Sequence, residues 1–127
     1  MSDMGTLRTN VMIENPLRRG EMKSMPDTPV DTGAELTWAP HDLLEALGIQ
    51  PEKHLGFPMA DGRVIHRDVG YAIVHAADAR TNDEVVFAEP GDLVLLGARS
   101  LEGMNLRVDA RSRQLVAAGP IVAAAAA

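Results

Sequence analysis

The sequence predicts a mostly β domain, a sandwich or barrel with one or two short helices. Two observations carry this prediction. Short runs of apolar and β-branched residues, about seven of them, recur with turn residues roughly every 8 to 12 positions. Only one stretch, near Asp42, combines an apolar helical run with residues suited to both of its ends.

Taken in order, Thr6 to Ile13 alternates imperfectly and reads as a strand ended by Asn15-Pro16. Residues 16–29 hold three prolines and little apolar pattern, which predicts a loop, or a strand interrupted by Pro26 and Pro29. Asp42 to Leu47 predicts a helix of about two turns, with His41 or Asp42 as N-cap and Gly48 at the left-handed position past its end. Gly56 to Arg63 closes on Asp61-Gly62, a pair suited to a type I′ hairpin, and Val64 to Val74 supplies the returning strand. Asn82-Asp83 predicts a turn before the strand Glu84 to Ala88. Leu93 to Leu96 is a continuous apolar run stopped by Gly97, the pattern of a strand buried on both faces. Ser100 to Met104 predicts one helical turn, and Leu106 to Asp109 with Gln114 to Val116 a last hairpin.

The 127 residues amount to one domain, with a core over about 6–118 and an alanine-rich tail at 119–127. A chain of this size holds one core and no cleft between domains, so a deep site has to be shared with another chain. The net charge of -6 lies wholly in residues 31–127, and aromatic residues make up only 3% of the chain. Both argue against a nucleic-acid partner. With no cysteine there is no disulfide scaffold, thiolate nucleophile or Cys-bound zinc. No apolar run approaches the roughly 20 residues of a membrane span, and the N-terminus lacks the pattern of a signal peptide, so a cytoplasmic protein is expected.

Among chemical motifs, the four histidines are scattered without metal-ligand spacing, no serine sits in a Gly-x-Ser-x-Gly elbow, and no phosphate-binding glycine loop occurs. What stands out is Asp31-Thr32-Gly33-Ala34. If Asp31 activates a water, the Thr32 hydroxyl can brace the loop, Gly33 lets the backbone turn, and Ala34 keeps the wall low beside a substrate. The same tripeptide also serves as ordinary turn chemistry, which leaves open a structural β domain with a chance Asp-Thr-Gly.

The order of segments around this motif resembles the retropepsin-like aspartic proteases, including single-domain prokaryotic members. In that family the Asp-Thr/Ser-Gly-Ala loop is followed by a strand and helix, a flap hairpin, and an apolar-apolar-Gly element leading into a short helix. Here Asp31 to Ala34 matches the loop, Thr37 to Pro40 and Asp42 to Ile49 the strand and helix, and Ala60, Asp61, Gly62 and Arg63 the flap. Leu95, Leu96 and Gly97 match the later element, followed by Ser100-Leu101-Glu102. The family usually carries Asp after the Ala and Arg directly after the later Gly; Glu35 and Arg99 stand nearest those places, which implies a shifted ion pair.

The resemblance implies a closed retropepsin-like barrel or sandwich and an aspartic endopeptidase acting on extended polypeptides, with no metal or cofactor. Two carboxylates must share a proton, and this chain has one Asp-Thr-Gly, so a homodimer is expected, with Thr32 bracing the two loops and the Gly33 carbonyl accepting from the substrate. Leu36, Trp38, Ile65 and Leu96 are expected in the core or pocket walls, Glu35 and His66 at the surface, and Gln114 to Val122 as a candidate interface strand. The alternative is an inactive module of the same fold that binds peptides or dimerises without turnover.

Overall fold

The computed structural model describes residues 7–123. Expectations for Thr6 and for the tail at 124–127 fall outside these residues. Of the two readings of residues 16–29, a loop or a proline-interrupted strand, the strand is what forms over most of the stretch. After strand β1 (Arg8–Glu14), the proline-rich stretch becomes strand β2 (Met22–Asp31), antiparallel to β1. Its prolines are tolerated for two reasons. The ladder shifts register between Thr9 and Val11, opposite Pro26-Asp27, where Asp27 takes φ 51° and its N–H donates to the Asn10 side-chain oxygen at 3.0 Å. At Pro29 the missing donor costs nothing, because the N–H that faces β1 is that of Val30, bonded to the Leu7 carbonyl at 2.8 Å.

Strand β3 (Thr37–Pro40) runs into helix α1 (His41–Ala46). The N-cap is Pro40, without a side-chain cap bond, rather than the expected His41 or Asp42. The C-terminus is as expected: Gly48 takes φ +76°, its N–H donates to the Glu45 carbonyl at 2.9 Å, and Ile49 N–H donates to Leu44 at 3.0 Å. This pair of bonds is a Schellman motif, which needs the left-handed residue that glycine supplies.

Strands β4 (Lys53–Pro58) and β5 (Val64–Ala76) form the expected hairpin. Its turn is not type I′. Met59 pairs with Arg63 around a three-residue loop, Gly62 N–H donates to the Met59 carbonyl at 2.9 Å, and only Gly62 has positive φ, at +89°. That is a turn closed by a glycine bulge. The two-residue turn with positive φ at both centres lies instead at Ala77-Asp78 (49° and 63°), joining β5 to β6 (Ala79–Ala88). Asn82-Asp83 is therefore inside a strand, opposite Ile73 and Ala72, and not at a turn.

The apolar run at 93–96 is also shorter as a strand than its composition suggests. Strand β7 is only Leu96–Gly97, Leu93 is exposed, and Leu95 makes an isolated bridge to Trp38. Helix α2 (Ala98–Gly103) follows, then the antiparallel pair β8 (Leu106–Asp109) and β9 (Gln114–Ala117). The terminal strand stops at Ala117, ahead of the break expected at Gly119-Pro120, and no strand resumes between there and Val122.

The seven-stranded sheet runs β3-β6-β5-β1-β2-β7, with β4 on β5. All neighbours are antiparallel except β3 with β6 and β2 with β7. No continuous ladder closes this path into a barrel among the described residues, and the Trp38–Leu95 bridge ties its two end regions. The core is aliphatic: Val11, Ile13, Leu44, Val74, Val85 and Leu96 are buried around Phe87. Burying each such side chain is worth about 1.5–3 kcal/mol, which is how a chain poor in aromatic residues sustains one core. A smaller cluster of Leu36, Val69 and Val86 packs with Trp38, Leu55 and Phe57 below the β4–β5 hairpin. No described helix is long and apolar enough to cross a membrane.

Candidate active site

Asp31 is the last residue of β2, where Val30 and Asp31 run parallel to Leu96 and Gly97 of β7. The chain turns at once: Ala34 N–H donates to the Asp31 carbonyl at 3.1 Å, and Gly33 N–H donates to the Asp31 carboxylate at 2.9 Å. Asp31, Thr32 and Gly33 are exposed.

What fixes this loop is the segment after β7. Ala98 N–H donates to the Ala34 carbonyl at 2.8 Å and Arg99 N–H to the Glu35 carbonyl at 3.0 Å. The expected shifted ion pair is present, with Arg99 Nη2 3.1 Å from Glu35 Oε2, and Arg99 Nη1 also reaches Glu84 Oε1 at 3.0 Å. Lys53 above all, with Arg99 assisting, holds the Glu84 carboxyl below the usual carboxylate range.

Behind the loop lies a buried relay. Gly97 N–H donates to Thr37 Oγ1 at 3.0 Å, Thr37 and Ser100 hydroxyls are 2.7 Å apart, and Ser100 Oγ donates to Asp83 Oδ2 at 2.8 Å. Because the Ser100 proton is committed to the carboxylate, Thr37 is the donor to Ser100. Thr37, Ser100 and Asp83 are all buried, and no buried side-chain polar atom among the described residues lacks a partner. Gly97 is required here for space: a Cβ would sit 2.5 Å from the Leu36 carbonyl carbon and 2.9 Å from the Thr37 nitrogen.

A cleft of about 610 Å³ opens between this loop and the β4–β5 hairpin. Asp31, Gly33 and Ala34 line one side, and Met59, Ala60 and Arg63 at the hairpin tip line the other. Its apolar wall is Leu36, Trp38, Phe57, Ile65 and Leu95, with the Trp38 and Phe57 rings 5.1 Å apart at 60°. Of the residues expected in the core or pocket walls, Leu36, Trp38 and Ile65 line the cleft and Leu96 is buried in the main core. Asp61 and Gly62 shape the tip without lining the cleft. Asp61 accepts from Arg63 N–H at 3.0 Å and from Arg63 Nε at 2.6 Å, and these bonds hold its carboxyl below the usual range. Glu35 and His66 are exposed, as expected.

Two charged lining residues escaped sequence reasoning, as did Phe57, Met59 and Leu93. Arg67 of β5 and Asp92, in the loop before β7, form a bidentate pair inside the cleft. The legible signal was the spacing of Arg63, Ile65 and Arg67, alternate residues that share one face of a strand. A second hollow of about 430 Å³ lies across the same loop, lined by His41, Glu45, Glu89, Gly91 and Asp92 among others. His41 there meets Glu89 at 2.7 Å and Glu45 at 3.3 Å, and Glu89 above all raises its pKa. No group of three or more His, Cys, Asp or Glu side chains among the described residues is placed so that it could hold a metal ion. Compared with known proteins, the chain matches no family model and no curated protein.

Proposed function

We propose that this chain is one half of a homodimeric aspartic endopeptidase of the retropepsin-like type. The observation that carries the reading is the cleft: Asp31 of an Asp-Thr-Gly-Ala loop lies across it from the tip of a β-hairpin, above an apolar wall. The arrangement suits an extended peptide, which could pair with the hairpin as an added strand while its side chains enter the apolar wall. The loop, hairpin and Leu95-Leu96-Gly97 element follow in the family's order, and the Trp38–Leu95 bridge is consistent with a barrel-like closure.

The chemistry needs two carboxylates close enough that only one ionises. Each chain supplies one, so a two-fold axis beside the exposed Asp31 loop would complete the pair. The ionised Asp31 takes a proton from a water that attacks the peptide carbonyl, while the protonated Asp31 of the second copy donates to the carbonyl oxygen. The expelled amine then receives the shared proton, and no covalent intermediate forms.

The test is cleavage of a library of extended peptides at acidic to neutral pH by the intact chain and by Asp31→Asn. Cleavage by the parent and none by a folded Asp31→Asn chain is the expected result. Equal cleavage by both removes Asp31 from the mechanism, and binding without cleavage by either leaves the cleft as the site of a peptide-binding module.

A further inference from the structure

We propose that Arg67 is a positioning residue that sets the width of the cleft, by tying the hairpin strand β5 to Asp92 in the opposite wall; this rests on the peptide-binding reading of that cleft. The pair is geometrically strong. Arg67 Nε lies 2.7 Å from Asp92 Oδ2 and Arg67 Nη2 lies 2.9 Å from Asp92 Oδ1, a two-point fork that fixes orientation as well as distance. Their side chains are 21% and 13% exposed, so solvent screens the pair little.

Both ends are anchored to their own elements. Arg67 Nη1 also donates to the His66 carbonyl at 2.8 Å, which aims the guanidinium along the strand. Asp92 Oδ2 accepts from Glu89 N–H at 2.8 Å, and Asp92 N–H donates back to the Glu89 carbonyl at 2.9 Å, closing the loop on itself. Arg67 is the main cause that holds the Asp92 carboxyl below its usual range.

The loop is held at its two ends, by Glu89 on His41 and by Val94 in the core with Leu95 bridged to Trp38, and between them the Arg67–Asp92 pair is its tie to the hairpin strand. The cleft lies on one side and the second hollow on the other, and Gly91 and Asp92 line both. Leu93, the next residue, is exposed at the cleft. The stretch from Gly91 to Leu93, with open space on both sides, keeps its place through specific bonds rather than close packing. Loosening the pair lets the wall drift from the hairpin, and a bound peptide must then meet the cost of ordering it.

Binding of dye-labelled casein, an unstructured polypeptide, to the Asp31→Asn chain separates affinity from turnover. Adding Arg67→Met is expected to weaken binding about tenfold, within the range for residues that act on a site through their neighbours. In the catalytically intact chain the same change is expected to raise KM by a similar factor and leave kcat within about twofold. Asp92→Asn, which leaves Arg67 in place, is expected to weaken binding as much, and the exchange Arg67→Asp with Asp92→Arg to recover most of the loss. Unchanged binding in Asp92→Asn overturns the proposal even if the exchanged chain does not fold. Loss in Arg67→Met that a folded exchanged chain does not recover also overturns it, because Arg67 then touches the peptide itself. Tight binding that ignores every one of these changes refutes the positioning role alone, whereas no binding by the Asp31→Asn parent removes the peptide-site reading and this inference with it.

Discussion

Replacing Gly97 with alanine is the sharpest test of how Asp31 is held. Gly97 lies beside Asp31 across the β2–β7 pair and has φ −93°, a value open to any residue, so the constraint is space and not conformation. An added Cβ would lie against the Leu36 carbonyl oxygen, 2.5 Å from its carbonyl carbon and 2.9 Å from the Thr37 nitrogen, where ordinary contact begins at 3.4 Å. All three atoms are backbone, so no side chain can rotate aside. The segment carrying Gly97 must move away from β3, breaking the Gly97 N–H bond to Thr37 and straining the relay behind it. Overpacking costs typically 1–3 kcal/mol, and the rigid neighbours place this site at the top of that range, about 3 kcal/mol. At roughly 4 °C per kcal/mol for a domain of this size, Tm should fall by about 12 °C. Thermal unfolding followed by circular dichroism measures it, with Gly62→Ala as the control. Gly62 has φ +89° and open space around it, so alanine there pays only the left-handed backbone cost of about 1–2 kcal/mol. A Gly97→Ala chain that melts no lower than the Gly62→Ala chain would refute the argument.

Two further outcomes follow from the same contacts. Ser100→Ala strips Thr37 of its acceptor and Asp83 of a donor, so the urea midpoint should fall by the equivalent of about 1–3 kcal/mol with an unchanged m value; an unchanged midpoint would show that water replaces the hydroxyl. Buried Glu14 has its carboxyl lowered to about 2, chiefly by the Gly20 N–H and then by Arg19 and His75. A lowered folded pKa contributes stability that is present above the ordinary value of 4.5 and is lost as pH falls toward 2. Stability measured by urea unfolding should therefore drop less steeply over that window in Glu14→Gln than in the parent, and superimposable slopes would contradict the assignment.

The parts of the fold that could be read from sequence were those where one residue does one local job. Gly48 ends α1 as its position suggests, and the hairpin at 59–63 forms where Asp61-Gly62 stands, although as a bulged turn. The failures came where tertiary structure overrode local preference. Ala77-Asp78 adopts a strained two-residue turn without glycine because the pairing of Val69 to Ala76 with β6 fixes where the chain must reverse. Asn82-Asp83 carries turn chemistry, yet Asp83 is consumed by Ser100 inside a strand. Pro26 and Pro29 fit β2 only because of a bulge and an outward-facing nitrogen, neither of which the sequence displays.

In the site, Asp31, Gly33, Ala34, Ala60 and Arg63 do line one cleft, separated by up to 32 positions in the chain. Motif order could anticipate that meeting. It could not anticipate Arg67 with Asp92, or the Thr37–Ser100–Asp83 relay, because these are made by long-range pairs whose members carry no motif of their own.

The proposed mechanism needs two copies of Asp31 acting as one catalytic pair. Mixing the parent chain with rising excess of the folded Asp31→Asn chain, under conditions of subunit exchange verified by mass spectrometry, and following peptide cleavage tests it most directly. If the pair is real, mixed dimers are inactive and, at constant total chain concentration, cleavage falls with the square of the parent fraction. Cleavage that falls only in direct proportion to the parent fraction would mean that each chain works alone and that no shared pair of carboxylates exists.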